Sequence, residues 1–255
     1  MRGRAALAAA CVVTSPALAA PGPRLYADLS APKIEISYGY AGARLLVYGA
    51  VQYPGGKLPG ESPKIAIVAR GPDQQVTVRR KERVAGVWVN TLSEQFATAP
   101  SFYAIATTAP LTDLVDARTA AVWELGLGFI QYSPFGSDDP AAAGIFQRGL
   151  IDLRRSQGLY REDIGAVRVT DDIIYRADLF VPPSAPVGDY DVTVYLIRDG
   201  KVVSTIARKL SVEKTGFEAR VSDFAERDAL LYGLATVALA AAAGWIASLI
   251  VGRRG

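Results

Sequence analysis

The chain has 255 residues, a formal net charge of +3, no histidine and a single cysteine, Cys11. Histidine is the commonest general base and transition-metal ligand, so its absence excludes Ser-His-Asp hydrolysis and histidine-based zinc sites. The small net charge indicates no nucleic-acid partner. We predict no enzymatic activity, no cofactor and no metal.

The N-terminus is typical of a secretory signal peptide. Arg2 and Arg4 precede a short apolar stretch that ends in small residues up to Ala20. This stretch is too short to span a bilayer, which needs about 20 residues. We predict a cleaved signal over residues 1–20, with an uncleaved anchor as the alternative. Cleavage would remove Cys11, so the mature chain would have neither disulfides nor thiolate chemistry.

Residues 21–111 predict β-structure. Short runs rich in β-branched and aromatic residues are separated by clusters of glycine and proline, a pattern typical of a sandwich. The predicted strands are 34–37, 43–52, 64–70, 75–79, 84–90 and 101–108.

Residues 112–163 change to a helical pattern and predict a helical insertion. Asp139-Pro140 is a strong helix start, since aspartate caps a helix and proline suits its first position. Gly158 predicts the end of that helix.

Residues 164–214 predict a second β region. Asp199-Gly200 between alternating runs is a strong hairpin signal. The segment 186–190, ending in Tyr190, is typical of the late corner of an immunoglobulin-like sandwich. We therefore predict a mainly β fold, an immunoglobulin-like β-sandwich with a helical insertion. Whether the two β regions form one sandwich or two is left open.

The C-terminal segments predict a membrane anchor. Residues 215–229 are interpreted as a juxtamembrane helix or stalk, and the uncharged run 230–251 matches a single transmembrane helix. The basic tail, 252–255, places the C-terminus in the cytoplasm and the β domain in the periplasm. A buried helix of a soluble core is the alternative.

Small residues recur at every fourth position of this predicted helix and would let another helix approach closely. Chance in an alanine-rich span is the alternative explanation. The residues are Thr236, Ala240, Gly244 and Ser248.

Two local features suggest partner binding. The basic run could grip an anionic ligand, lipid headgroups or an acidic partner, with a solvated hairpin or edge strand as the alternative. Two aromatic phrases could be exposed recognition anchors, with a buried core role as the alternative. The candidate residues are Arg79, Arg80, Lys81, Trp88, Asn90, Phe102 and Tyr103. The carboxylate pairs Asp138-Asp139 and Asp171-Asp172 are interpreted as capping and turn residues, with a hard-cation site as the alternative.

Several phrases in order resemble the alphaproteobacterial putative transmembrane protein family. They are Gly71-Pro72, Arg79-Arg80-Lys81, Gly86-Val-Trp-Val-Asn90, Pro100-Ser-Phe-Tyr103, Gly158-Leu-Tyr160, Gly188-Asp-Tyr190, Leu231-Tyr-Gly233 and Gly244-Trp245. The resemblance implies an inner-membrane protein with a periplasmic domain, and brings no catalytic residues. It also associates the chain with sulfite-exporter-type permeases, which implies an accessory role.

We predict a membrane-anchored periplasmic binding or adaptor protein, an accessory subunit of a transporter-type membrane assembly. Its partner would be another integral membrane protein or a second copy of itself. The alternatives are a structural, self-associating envelope protein and a membrane-tethered enzyme that uses neither histidine nor cysteine.

Overall fold

The computed structural model describes residues 22–37, 41–56, 60–135 and 140–214, together with 233–234, 236–241 and 244–245. The described chain is mainly β, as predicted, and the range up to residue 214 holds thirteen strands and three α-helices. The strands are β1 (Arg24–Leu29), β2 (Lys33–Ile36), β3 (Ala43–Gln52), β4 (Lys64–Arg70), β5 (Asp73–Val84), β6 (Val87–Pro100), β7 (Tyr103–Thr107), β8 (Ser133–Phe135), β9 (Tyr160–Ile164), β10 (Arg168–Thr170), β11 (Ile174–Val181), β12 (Gly188–Arg198) and β13 (Lys201–Lys214). The helices are α1 (Leu111–Leu114), α2 (Ala117–Val122) and α3 (Pro140–Ser156), with 3-10 turns at Pro54–Gly56 and Leu127–Phe129.

Two sheets share one hydrophobic core. The four-stranded sheet has the order β1-β3-β11-β10, and the six-stranded sheet has the order β2-β13-β12-β4-β7-β9. Both predicted β regions contribute to both sheets, since β3 pairs with β11 and β4 pairs with β12. The buried side chains of the two sheets belong to a single cluster. The question of one or two sandwiches is therefore settled in favour of one shared core.

Alternation of side chains produces the inner faces of both sheets. In β11 every second residue from Tyr175 to Val181 is buried, and β12 repeats the pattern from Tyr190 to Leu196. Successive strand residues point to opposite faces, so one face of each strand is left to solvent.

Strands β4 and β7 are buried on both faces instead. The segment containing α1, α2 and the 3-10 turn at Leu127–Phe129 contributes Leu114, Leu125 and Ile130 to the same core. Strands covered on both faces have continuous apolar runs, which is why Ile65–Ala69 and 103–106 lack polar alternation.

Two local predictions are confirmed. Strands β12 and β13 form a hairpin at Asp199-Gly200, where both residues have positive φ (50° and 74°), as a type I′ turn requires. Helix α3 begins at Pro140 and ends at Ser156, two residues before Gly158, whose φ is 72°. The segment predicted as a helical insertion, 112–163, contains all of α2 and α3, and also strand β8 and all but the last residue of β9.

One end of the six-stranded sheet contains the exit from β4, the entry to β7 and the end of β13. Asp191 of β12 lies between Arg70 of β4 and Lys209 of β13. The last residue of β13, Lys214, therefore lies at the same end as the exit from β4 and the entry to β7 at Tyr103. The chain leaves this end as the β5–β6 pair and, after residue 214, toward the predicted membrane segment.

The predicted span 230–251 lies largely outside the described residues, as do the signal, the juxtamembrane segment and the tail. Residues 233–234, 236–241 and 244–245 of the span are helical. Within the part of the chain that the structure describes, no helix has both the length and the apolarity needed to cross a bilayer.

Four fully buried tyrosines fasten loops and strands to the core. Each hydroxyl donates a hydrogen bond to a backbone carbonyl 2.6–2.8 Å away. The pairs are Tyr103 to Glu124, Tyr160 to Pro100, Tyr175 to Tyr26 and Tyr190 to Pro186. Burial raises the pKa of the hydroxyls of Tyr103, Tyr160 and Tyr175.

We expect stability to fall in alkali because of Tyr103, Tyr160 and Tyr175. Their folded-state pKa values lie above the unfolded value of about 10, so their contribution is complete below about pH 10 and is lost as pH rises further. Urea unfolding across this range measures the slope, which should be shallower in Tyr175→Phe. A free energy of unfolding that stayed constant well above pH 10 would contradict the assignment.

Gly49 marks a close approach between strands and tests the packing. A Cβ there would lie 1.9 Å from the carbonyl oxygen of Tyr26 and 2.5 Å from the hydroxyl of Tyr175. We expect Gly49→Ala to lower the free energy of unfolding by about 3 kcal/mol or more, because the obstructing atoms belong to backbone and a pinned ring. Gly149→Ala, in open space on α3, is the control and should raise stability by up to about 1 kcal/mol. Similar losses in both variants would show the packing at Gly49 to be looser than described.

Candidate functional site

The candidate site is the hairpin formed by β5 and β6. The strands pair from Asp73 opposite Pro100 to Val84 opposite Val87. They are joined by a two-residue turn at Ala85-Gly86, with φ of 49° and 87°. Positive φ at both positions is the type I′ geometry that matches strand twist. The strand predicted over 84–90 was therefore wrong at its start, because Gly86 lies in a turn.

Among the described residues, packing partners are found only at the base of this hairpin. Phe96 and Ala99 form a small separate cluster with Phe146 and Leu150 of α3. Strand β8 pairs with β6 between residues 95 and 98. Together these contacts form a three-stranded sheet backed by a helix, beside the main core.

The outer part of the hairpin exposes large apolar side chains. Trp88 is 67% exposed and Val87 is 64% exposed, in a stretch of strand where side chains ordinarily pack. Val84, Val89 and Leu92 are also exposed. Single exposed apolar residues are common, but a group within nine positions indicates an interaction site.

The pairing register separates two faces of the outer hairpin. One face carries Arg79 opposite Ser93, Lys81 opposite Asn90, and Arg83 opposite Trp88. The other carries Arg80 opposite Leu92, Glu82 opposite Val89, and Val84 opposite Val87. Across the register shift between Arg80 and Lys81, the two sets of residues stay on opposite faces of the hairpin. The hairpin is thus basic, with a tryptophan, on one face and largely apolar on the other.

The charges on the basic face are not neutralised by described residues. Arg80 forms an ion pair with Glu82 at 3.0 Å on the apolar face. Across the described ranges, Arg79, Lys81 and Arg83 have no carboxylate within ion-pair distance, and Arg83 Nε donates to the carbonyl of Gly86 at 3.3 Å. Three exposed cations on alternate residues of one strand create a positive stripe.

The structure brings together five of the seven predicted partner-binding residues, namely Arg79, Arg80, Lys81, Trp88 and Asn90. Phe102 and Tyr103 are different, because both are fully buried in the main core. Phe102 packs on Tyr190 with ring centroids 5.6 Å apart. The prediction that these two rings are surface contacts is therefore corrected, and the alternative, a core role, describes them.

Tyr103 has a clear structural task. Its hydroxyl donates to the carbonyl of Glu124 at 2.6 Å and accepts from the N–H of Gly126 at 2.9 Å. Glu124 has a positive φ of 49°, which is unfavourable for a residue with a Cβ. The buried hydroxyl holds this strained turn in place, and Arg70 pairs with the Glu124 carboxylate on its outer side.

Sequence reasoning missed Val84, Val87, Val89 and Leu92 as site residues. The three valines lie in the predicted strand 84–90, for which burial was the ordinary expectation, and Leu92 lies just beyond that predicted strand. The available signal was Gly86 in the middle of the run, which favours a turn and hence a protruding hairpin.

Another cleft contains polar groups. It has a volume of about 330 Å³ and is lined by Tyr53, Lys64 and Arg198 among others. Near it, Asp171 and Asp172 have positive φ, and Asp172 accepts a hydrogen bond from Ser62. This geometry matches the turn role expected for the pair. Within the described residues, acidic and other ligand-type side chains do not converge in a set of three that could hold a metal ion.

Comparison with known proteins adds one assignment. Residues 24–253 match the family described as putative transmembrane protein, from alphaproteobacteria. The chain belongs to this family. The resemblance predicted from the sequence is therefore confirmed, and the matched range covers all thirteen strands, the hairpin and the run 230–251. No curated protein and no solved structure matches the chain. The family description links the chain to membranes and states no activity.

Paired substitutions distinguish the exposed outer hairpin from its packed base. We expect Trp88→Ala to change the free energy of unfolding by less than about 0.5 kcal/mol, because the side chain has few contacts to lose. Phe96→Ala should cost about 3–5 kcal/mol, because the ring is buried against α3. Equilibrium urea unfolding measures both. A large loss in Trp88→Ala would make the tryptophan a structural residue and contradict the site.

Proposed function

We propose that this protein is a membrane-anchored binding protein of the inner membrane, with its β domain in the periplasm and its C-terminus in the cytoplasm. In this role it is an accessory, adaptor-type subunit of a transporter-type membrane assembly. Membership of a transmembrane protein family supports the anchor. The predicted export signal, the uncharged run 230–251 and Arg253-Arg254 support the orientation.

The observation that carries this proposal is the position of the hairpin. It leaves the six-stranded sheet at the end where β13 finishes at Lys214, from which the chain continues toward the run 230–251. The hairpin that carries an exposed tryptophan, exposed apolar side chains and cations without an ion-pair partner among the described residues is therefore rooted at the end of the sheet where the domain is tethered. Such a combination is typical of a contact surface.

We further infer an immunoglobulin-like arrangement of the two main sheets. The orders β1-β3-β11-β10 and β13-β12-β4 correspond to the ABED and GFC strands of that sandwich. The bond from Tyr190 to the carbonyl of Pro186, at 2.6 Å, corresponds to its tyrosine corner. Sandwiches of this class commonly present loops and hairpins at their ends for binding.

The run 230–251 supplies the second contact in this proposal. Thr236, Ala240, Gly244 and Ser248 form one stripe of small residues at helical spacing. Such a stripe lets a helix of an integral membrane protein pack closely against it. The same stripe suits a second copy of this chain, so self-association is the competing function.

Crosslinking in intact cells, followed by detergent purification and mass spectrometry, tests the accessory role. We expect one multi-span membrane protein to be recovered in near-equal amount. Ala240→Leu and Gly244→Leu should each abolish that recovery, because a bulky side chain on the stripe prevents close helix packing.

Ala242→Leu is the matched control for this experiment. Residue 242 lies about 200° around a helix from residue 240, so the same added volume faces away from the stripe. The control should leave the partner bound. Recovery of the protein alone, or only as its own multimer, would contradict the accessory role and favour a self-associating envelope protein.

A further inference from the structure

We propose that the outer part of the β5–β6 hairpin docks on the anionic headgroup surface of the bilayer that holds the C-terminal helix. This inference rests on the proposed membrane anchor and names the partner of the hairpin. The partner of the hairpin is a phospholipid surface. Lys81 and Arg83 contact this surface, and Val84, Val87 and Trp88 enter it.

The side-chain chemistry of the outer hairpin matches a membrane interface. Tryptophan is favoured at the level of the headgroups, and aliphatic side chains gain by entering the acyl boundary. Lysine and arginine near an anionic surface are attracted to it, roughly fivefold in binding constant per residue. Lys81 and Arg83 lie about 13 Å and 7 Å behind the turn at the usual rise of a strand. In the docked hairpin, the apolar tip therefore lies at the acyl boundary, and the basic residues behind it lie at the level of the headgroups.

The two faces of the tip favour a bilayer over a protein partner. Val84 and Val87 project on one face, whereas Trp88 projects on the other with Arg83. A folded protein surface lying against the hairpin would cover one face and leave the other in water. A fluid interface surrounds an inserted tip and covers both faces at once.

The tether permits this contact. Each arm of the hairpin is on the order of 40 Å long, since β5 has 12 residues at about 3.3 Å per residue. Residues 215–229 separate Lys214 from the predicted span and reach up to about 50 Å when extended. Because hairpin and tether leave the same end of the sheet, the tip can reach the bilayer while the domain stays attached.

The full-length protein, reconstituted in vesicles, tests the docking. Val87→Cys gives a single labelling site at the tip once the signal with Cys11 is removed, and an environment-sensitive fluorophore there reports contact with lipid. Vesicles contain either phosphatidylcholine alone or a mixture with phosphatidylglycerol. We expect a blue shift and quenching by lipid-borne nitroxides only in the anionic vesicles, with both effects weakened at high salt.

Matched variants separate docking from general attraction. Ile164→Cys has similar exposure, 62% against 64% for Val87, and lies at the opposite end of the six-stranded sheet. A label there should stay in water. Lys81→Gln with Arg83→Gln should weaken the equilibrium for contact by roughly 25-fold. Arg118→Gln with Lys201→Gln removes the same charge far from the hairpin and should change nothing.

The outcomes distinguish this inference from the anchor itself. Resistance of the protein to carbonate extraction reports insertion of the C-terminal helix independently of the label. An inserted protein whose residue 87 stays in water in anionic vesicles overturns the docking and leaves the anchor standing. A label shielded only when an integral membrane partner is reconstituted with the protein would assign the hairpin to that partner and also overturn it. Extraction by carbonate would remove the anchor and, with it, this inference.

Discussion

The hydrogen bond from a buried tyrosine hydroxyl to a backbone carbonyl is the constraint on which the rest of the structure depends. Two such bonds lie at the end of the sheet that carries the hairpin, because Tyr160 binds the carbonyl of Pro100 and Tyr103 binds that of Glu124. Pro100 is the last residue of β6. The base of the hairpin is thereby fixed to the core, and the positions of its outer residues follow from strand pairing alone.

The basic run on β5 has an ordinary physical explanation, which does not extend to the apolar residues beside it. An edge strand with unpaired backbone groups invites pairing with another chain, and charged side chains along it oppose such pairing. Arg79, Lys81 and Arg83 therefore protect an otherwise open edge, which is the ordinary explanation of such a run. The same charges do not explain the exposure of Trp88 and Val87, which protects nothing and is unfavourable in water. The apolar tip, more than the charge, is what requires a partner.

Local signals predicted the parts of the fold that local chemistry determines. The turn at Asp199-Gly200 and the start of α3 at Pro140 depend on backbone preferences of single residues, and both were found as expected. Strand β9 has a mixed polar sequence, and its conformation depends on parallel pairing with β7, more than fifty residues away. The burial of Phe102 depends likewise on packing with distant Tyr190. Such features depend on which elements come together in the fold, and the local patterns of a single sequence do not show this.

Tethering changes what the hairpin contact must achieve. A domain held by a short linker experiences an effective concentration of its target on the order of millimolar, so a contact that is weak in free solution is largely formed at the membrane. The attachment itself is supplied by the C-terminal helix in the proposed arrangement. The hairpin then adds orientation, because a second point of contact restricts rotation of the domain about its tether. A domain oriented in this way presents the same faces continuously to a neighbouring membrane protein, which is what the proposed accessory role requires and what a single point of attachment cannot provide.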